Sequence, residues 1–294
     1  MTNDVFEAVR HARAFDPDAI RRALLERTRR PLLVGDNRLF ILAADHPARG
    51  SLGVREDEMA MADRYNLLGR LAEALQNPRV DGFLGTADLV EDLALMGVLE
   101  NKIVVGSTNR GGLKSAVFEM DDRFTAYNID TIRDLRLDFA KLLVRINLDD
   151  AGSVHTLDAA AEIVARAVEA RLPIMIEPFM SEWIDGSIKN DLSTDAVIKS
   201  VAIASALGAS SAYTWLKLPV VPDMERVMKA TTLPTLLLGG DPALAPHEIY
   251  ESWEQSLSLP GVHGLVVGRT LLYPEDGDVV GAVERAARLV HGAR

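Results

Sequence analysis

Several charged side chains stand inside runs that are otherwise apolar. Asp45 closes Leu39-Phe40-Ile41-Leu42-Ala43-Ala44, and Lys141 and Arg145 interrupt the run from Ala140 to Leu148. Glu177 follows Pro173-Ile174-Met175-Ile176, and Lys217 sits in Tyr213-Thr214-Trp215-Leu216-Lys217-Leu218-Pro219. A lysine or a carboxylate in such surroundings is costly unless it is paired or neutral. Two lysines with two carboxylates at comparable positions therefore read as a site rather than a core. Amines and carboxylates held together suit nucleophilic and proton-transfer chemistry. Simpler roles exist for each. Lys217 can reach solvent from a strand end, Lys141 can lie at a lower rim because it starts its run, and Asp45 can cap the following loop. Arg145 can serve as an ion-pair partner of Glu177 or Asp45.

A second signal is glycine next to arginine. Gly239-Gly240-Asp241 follows Leu236-Leu237-Leu238, and Gly268-Arg269-Thr270 follows Val266-Val267. Glycine lets backbone amides approach an anion, and arginine adds a bidentate contact. The histidines, His11, His46, His155, His247, His263 and His291, are scattered, and no pair has metal-ligand spacing on one element. No Ser-His-Asp arrangement or dinucleotide fingerprint stands out. The expectation is therefore no metal and no cofactor. Trp183, Trp215 and Trp253 read as packing residues, with Trp215 on the same strand face as Lys217.

The elements that must position these residues alternate along the chain. Short β-rich apolar runs cover Leu39–Ala44, Gly82–Leu84, Lys102–Gly106, Ala140–Leu148, Pro173–Pro178, Ala212–Leu218, Thr235–Gly239 and Gly264–Gly268. Helical spacing fills the gaps, most clearly at Leu157–Ala170, Asp195–Leu207 and Val279–Val290. Asp16 and Pro17 predict a helix start, with Asp16 as its cap, so a helical extension precedes the first strand. Eight β-then-α units in 294 residues predict a (β/α)₈ (TIM) barrel forming a single domain over 1–294. A doubly wound open sheet usually carries a Gly-rich turn after its first strand, and here that strand ends in Asp45-His46-Pro47. Barrel active sites lie at the C-terminal ends of the strands, and phosphate often binds after strands seven and eight. The segment from Ser107 to Asp130, with Asn109-Arg110-Gly111-Gly112, is long enough for an active-site loop.

Composition narrows the partners. A net charge of −11 gives no general attraction for nucleic acid or an anionic membrane, although a local anion site is compatible with it. The chain has no cysteine, which excludes disulfides and thiolate chemistry. No signal-peptide core and no apolar run near the roughly 18 residues of a membrane span is present, so a cytoplasmic protein is expected.

The set Asp45-His46, Glu177, Lys217, Gly239-Gly240 and Gly268-Arg269 resembles the class I aldolases related to deoxyribose-phosphate, tagatose-bisphosphate and archaeal-type fructose-bisphosphate aldolases. The likeness of pattern spans roughly Leu39 to Tyr273. It implies that Lys217 forms the Schiff base, that Asp45 is the first-strand aspartate, and that Lys141 and Glu177 match the fourth-strand lysine and fifth-strand glutamate of the tagatose-bisphosphate branch. The deoxyribose-phosphate branch carries a further lysine on strand seven, and Thr235 to Gly240 has none. Arg145 has no counterpart in the pattern. The implied reaction is cleavage of a phosphorylated ketose to dihydroxyacetone phosphate and an aldehyde, with phosphate on Gly239, Gly240, Gly268 and Arg269. The likeness is nearest to bacterial aldolases of inositol breakdown, which implies 6-phospho-5-dehydro-2-deoxygluconate as substrate, with Arg145 and Arg110 holding its carboxylate. Fructose or tagatose bisphosphate, an isomerase or epimerase, and a non-catalytic sugar-phosphate-binding barrel are the competing readings. The expected partners are the phosphorylated sugar and further copies of the chain.

Overall fold

The computed structural model describes residues 3–109, 111–239 and 246–292, so Arg110 and Gly240 lie outside the described residues. Strands β1 (Leu39–Ala43), β2 (Gly82–Gly85), β3 (Ile103–Ser107), β4 (Phe139–Ile146), β5 (Ile174–Ile184), β6 (Ser187–Asn190), β7 (Thr214–Leu218), β8 (Thr235–Leu238) and β9 (Val262–Val267) follow in chain order. All but β6 pair in parallel, in the order β4-β3-β2-β1-β9-β8-β7-β5, and β4 pairs with β5 to close the cylinder. The predicted (β/α)₈ barrel is therefore the observed fold, with helices Asn3–Phe15 and Asp18–Glu26 preceding it. No helix among the described residues is long and apolar enough to cross a membrane.

Strand parity divides the side chains. Leu42, Val104, Leu142 and Leu216 face outward and pack under the helices, together with Trp253. Leu39, Ile41, Phe139, Met175, Trp215, Leu236 and Val266 face inward and fill the N-terminal part of the barrel. Trp215 meets Phe139 edge-on at 5.6 Å between ring centroids. Two residues further along each strand, the same inward row continues as Ala43, Lys141, Glu177 and Lys217, because strand side chains repeat every second position. The barrel is thus an apolar plug with a charged upper layer.

The structure departs from expectation in places. β5 does not stop at Pro178 but runs on to Ile184 and turns through Asp185-Gly186 into β6, as an antiparallel hairpin. Both turn residues have positive φ, 50° and 72°, the conformation that an Asp-Gly pair accommodates. Trp183 therefore sits on this hairpin, partly exposed, rather than in a core. Asp16 does not cap its helix. Pro17 occupies the cap position without a side-chain cap bond, and the Asp16 carboxylate pairs with Arg22. The long segment after β3 is fastened down. The Asn109 amide nitrogen donates to the Asp122 and Leu143 carbonyls, and its oxygen accepts from Leu143 N–H.

Candidate active site

Each charged residue of the upper layer is delivered by its strand. β4 carries Lys141 opposite Met175, β5 carries Glu177 opposite Leu143, and β7 carries Lys217 opposite Leu236. Asp45 follows β1 at the start of a short 3₁₀ turn, His46–Arg49. Its side chain makes no cap bond there and points to Lys141 instead. The Lys141 ammonium lies 2.8 Å from Asp45 Oδ2 and 2.6 Å from Glu177 Oε2. Glu177 Oε1 accepts from Lys217 Nζ at 2.9 Å. The result is a buried chain of alternating charge, Asp45–Lys141–Glu177–Lys217. Lys141 is thus central to the site, not at the lower rim, because its strand begins two residues earlier, at Phe139.

The two lysines differ electrostatically. Burial pulls both downward. Lys141 has carboxylates on two sides, and their attraction outweighs burial, so its pKa ends above the ordinary lysine value. For Lys217 burial wins over the attraction of Glu177, helped by repulsion from Lys141, and its pKa ends below that value. Burial would raise Glu177, but Lys141 and then Lys217 hold it down to about 2. Asp45 is likewise held ionised: burial would raise it, and the field of Lys141 prevails. His46 stands with its Nδ1 3.8 Å from Asp45 Oδ1, yet burial drives its pKa to about 3, so the ring is neutral. Its Nδ1 has no hydrogen-bond partner among the described residues.

A cavity of about 550 Å³ opens above this chain. Asp45, Lys141, Glu177, Lys217, Gly239, Gly268 and Arg269 all line it. Gly268 has a packing reason for being glycine, since a Cβ there would collide with the Ala43 carbonyl oxygen. Gly239 has none: a Cβ would meet only Thr270 and Val267 side chains at 3.8 Å. Arg145 is absent from the lining. Its guanidinium is buried against Asp122, 2.7 Å away, and also approaches Glu119 at 3.6 Å, so it clamps the segment after β3 to the barrel. The role expected for it in holding a substrate carboxylate is not supported by this placement. Sequence reasoning missed Arg49, Arg55 and Arg285, which also line the cavity. For Arg49 a signal existed, because it lies four residues past Asp45 on the functional face. Arg285 lies on a C-terminal helix far along the chain, and nothing in its local pattern points inward. No group of three or more His, Cys, Asp or Glu side chains among the described residues is arranged to hold a metal ion.

Comparison with known proteins places this geometry. The profile of the Cgl0159-like family matches residues 37–287. The crystal structure of Cgl0159 from Corynebacterium glutamicum is 59% identical, with a TM-score of 0.97 over 99% of this chain and 98% of that one. An archaeal fructose-1,6-bisphosphate aldolase, with its catalytic lysine covalently bound to the carbinolamine intermediate, is 18% identical, with a TM-score of 0.67 over 93% of this chain and 100% of that one. Fructose-bisphosphate aldolase from Slackia heliotrinireducens DSM 20476 is 14% identical, with a TM-score of 0.61 over 99% of this chain and 92% of that one. These last two likenesses establish a shared fold. No curated protein matches the chain.

Proposed function

The chain belongs to the Cgl0159-like family, and we propose that it is a class I aldolase that cleaves a phosphorylated ketose through a Schiff base on Lys217. The observation that carries this reading is a buried lysine with a lowered pKa, 2.9 Å from a carboxylate that a second, protonated lysine also holds. A free lysine titrates near 10.5 and is almost wholly protonated at neutral pH, so a nucleophilic amine needs such a site. The fold shared with fructose-bisphosphate aldolases supports the reading further.

The neutral Lys217 amine attacks the ketone carbon. The carbinolamine takes up one proton from solvent, which the final hydrolysis returns, and loses water to leave an iminium ion. The substrate C–C bond then breaks, its electron pair flows into the iminium, and the hydroxyl proton of the departing aldehyde is taken by a base. Glu177 is placed for that role. It is a weak base while both lysines hold it, but its basicity rises as the charge on the Lys217 nitrogen disappears into the enamine. The proton it gains then returns to the enamine carbon, and water releases dihydroxyacetone phosphate and free Lys217. Lys141 keeps Glu177 ionised and raises the cost of protonating Lys217. Asp45 in turn keeps Lys141 charged.

Phosphate binds beside Gly239, Gly268 and Arg269 in this reading, which fixes the remote end of the substrate and orients the ketone. The substrate is a ketose phosphate with a second anionic end: 6-phospho-5-dehydro-2-deoxygluconate, ahead of fructose or tagatose bisphosphate. Four arginines lining one cavity in a chain of net charge −11 support two anionic ends. The test is a side-by-side assay of dihydroxyacetone phosphate release from the three ketose phosphates, with and without a chelator. Release from the deoxygluconate compound, insensitive to chelator, is the expected result. Preference for a bisphosphate overturns the finer substrate, and no release from any of the three overturns the aldolase reading.

A further inference from the structure

The arginines of the cavity fall into two kinds. Arg55 and Arg285 are exposed at the mouth and engaged: Arg55 bonds the Tyr273 carbonyl and faces Glu275 at 3.5 Å, and Arg285 lies over the Tyr250 ring. Arg49 and Arg269 are half-buried and have no carboxylate partner among the described residues. Arg269 donates one bond to the Gly53 carbonyl at 3.2 Å and forms no ion pair there. The Arg49 guanidinium makes no hydrogen bond or ion pair among those residues, although its backbone is anchored. Its carbonyl accepts from Lys114 N–H at 2.8 Å, and Gly50, at φ 75°, ends its turn. The carboxylate whose charge Arg49 does influence, Asp122, is already engaged by Arg145. Arg49 weakens the hold of Arg269 on its proton, after burial itself, while the more distant Asp45 and Glu177 act in the opposite sense. Like charges brought together on the wall of a cavity, neither of them in an ion pair, are unfavourable until an anion sits between them.

We propose that Arg49 and Arg269 form a clamp for a phosphate dianion, joining the loop after β1 to the end of β9, and that Arg49 selects doubly charged phosphate monoesters over singly charged acids. The proposal rests on the phosphorylated-substrate reading above and adds to it a residue on the β1 loop. Each guanidinium offers several N–H donors in a fixed fork, and a phosphate dianion has three terminal oxygens to receive them. Because Arg49 lies in the turn that begins at Asp45, an anion held there also fixes the loop that carries the first member of the charged chain.

The clamp is tested by calorimetric titration of the full-length protein with inorganic phosphate at pH 8, and with acetate for comparison. Wild type should bind phosphate at one site and acetate far more weakly. Arg49→Ala should weaken phosphate about 10- to 100-fold, and Arg49→Lys by less, since a lysine keeps the charge but loses the fork. Arg123→Ala, which removes an exposed charge paired with Asp121, should leave binding unchanged. Thermal unfolding of each variant checks that the fold is retained. Wild-type-like phosphate binding in Arg49→Ala, equal affinity for acetate, equal loss in Arg123→Ala, or no phosphate binding by wild type each overturns the clamp. The readout does not depend on Lys217. Borohydride trapping with unphosphorylated dihydroxyacetone tests the Schiff-base reading separately, so the two can fail independently.

Discussion

The two ends of the barrel both bury charge, and they use it differently. At the N-terminal end Arg27, Arg29 and Arg30 from the lead-in segment meet Asp138 and Asp81. Those carboxylates end on the backbone: Asp81 accepts from Phe40 N–H at 2.7 Å and Asp138 from Val104 N–H at 2.9 Å, at the starts of β1 and β3. Arg27 also donates to the Lys102 carbonyl, and the Lys102 ammonium to the Val80 carbonyl. Every partner there is part of the scaffold, and the network seals the barrel floor. At the C-terminal end Asp45, Lys141, Glu177 and Lys217 bond mainly to one another, under an open cavity. The residue types are the same. Charge tied to strand backbone holds the fold together, whereas charge tied only to other side chains and facing a cavity can change its protonation state and act on a ligand.

That contrast can be broken by substitution at each end. Glu177→Gln should lower kcat by roughly 10²- to 10⁴-fold, the usual worth of a positioned acid–base group, with little change in KM. Steady-state kinetics decides it, and unchanged turnover removes Glu177 from proton transfer. Arg27→Ala should lower stability by about 1–3 kcal/mol, because it removes the buried one of the two arginines on Asp138 and leaves the Lys102 carbonyl without that donor, while kcat of the folded protein stays the same. Urea unfolding alongside kinetics measures both, and a loss of kcat at unchanged stability would erase the distinction between the two ends. The smallest effect is a shift in pH profile. The Lys217 amine must be neutral to react, so kcat/KM should rise with pH through a pKa below 10.5. Lys141→Gln removes the neighbouring positive charge and frees Glu177 to hold Lys217 more tightly. Both changes favour protonated Lys217, so the acid limb should move to higher pH. A limb that stays put or moves down would show that Lys141 does not tune Lys217.

Much of this was legible in the sequence, for reasons that can be traced. Lys217, Glu177, Lys141 and Asp45 betrayed themselves because a charge inside an apolar run is costly, and strand parity then put them on one face. Arg145 shares that parity with Lys141 and misled for the same reason. Four residues along a strand is about 13 Å, enough to carry it past the cavity to the segment after β3. Its partners Asp122 and Glu119 lie in an irregular segment with no periodicity to read. The apolar run ends at Pro178, but β5 continues through it to the Asp185-Gly186 turn. Of the cavity's arginines, Arg269 was legible beside Gly268, but its pairing with Arg49 was not, since the barrel brings the two together from neighbouring strand ends far apart in the chain.

The central claim is that Lys217, and not its neighbour Lys141, is the nucleophile. The direct test is incubation with dihydroxyacetone phosphate, reduction with borohydride, and peptide mapping by mass spectrometry. A stable adduct on the peptide containing Lys217, absent in Lys217→Met with the fold retained, is the result this account predicts. An adduct on Lys141, or trapping that persists undiminished in Lys217→Met, would contradict it.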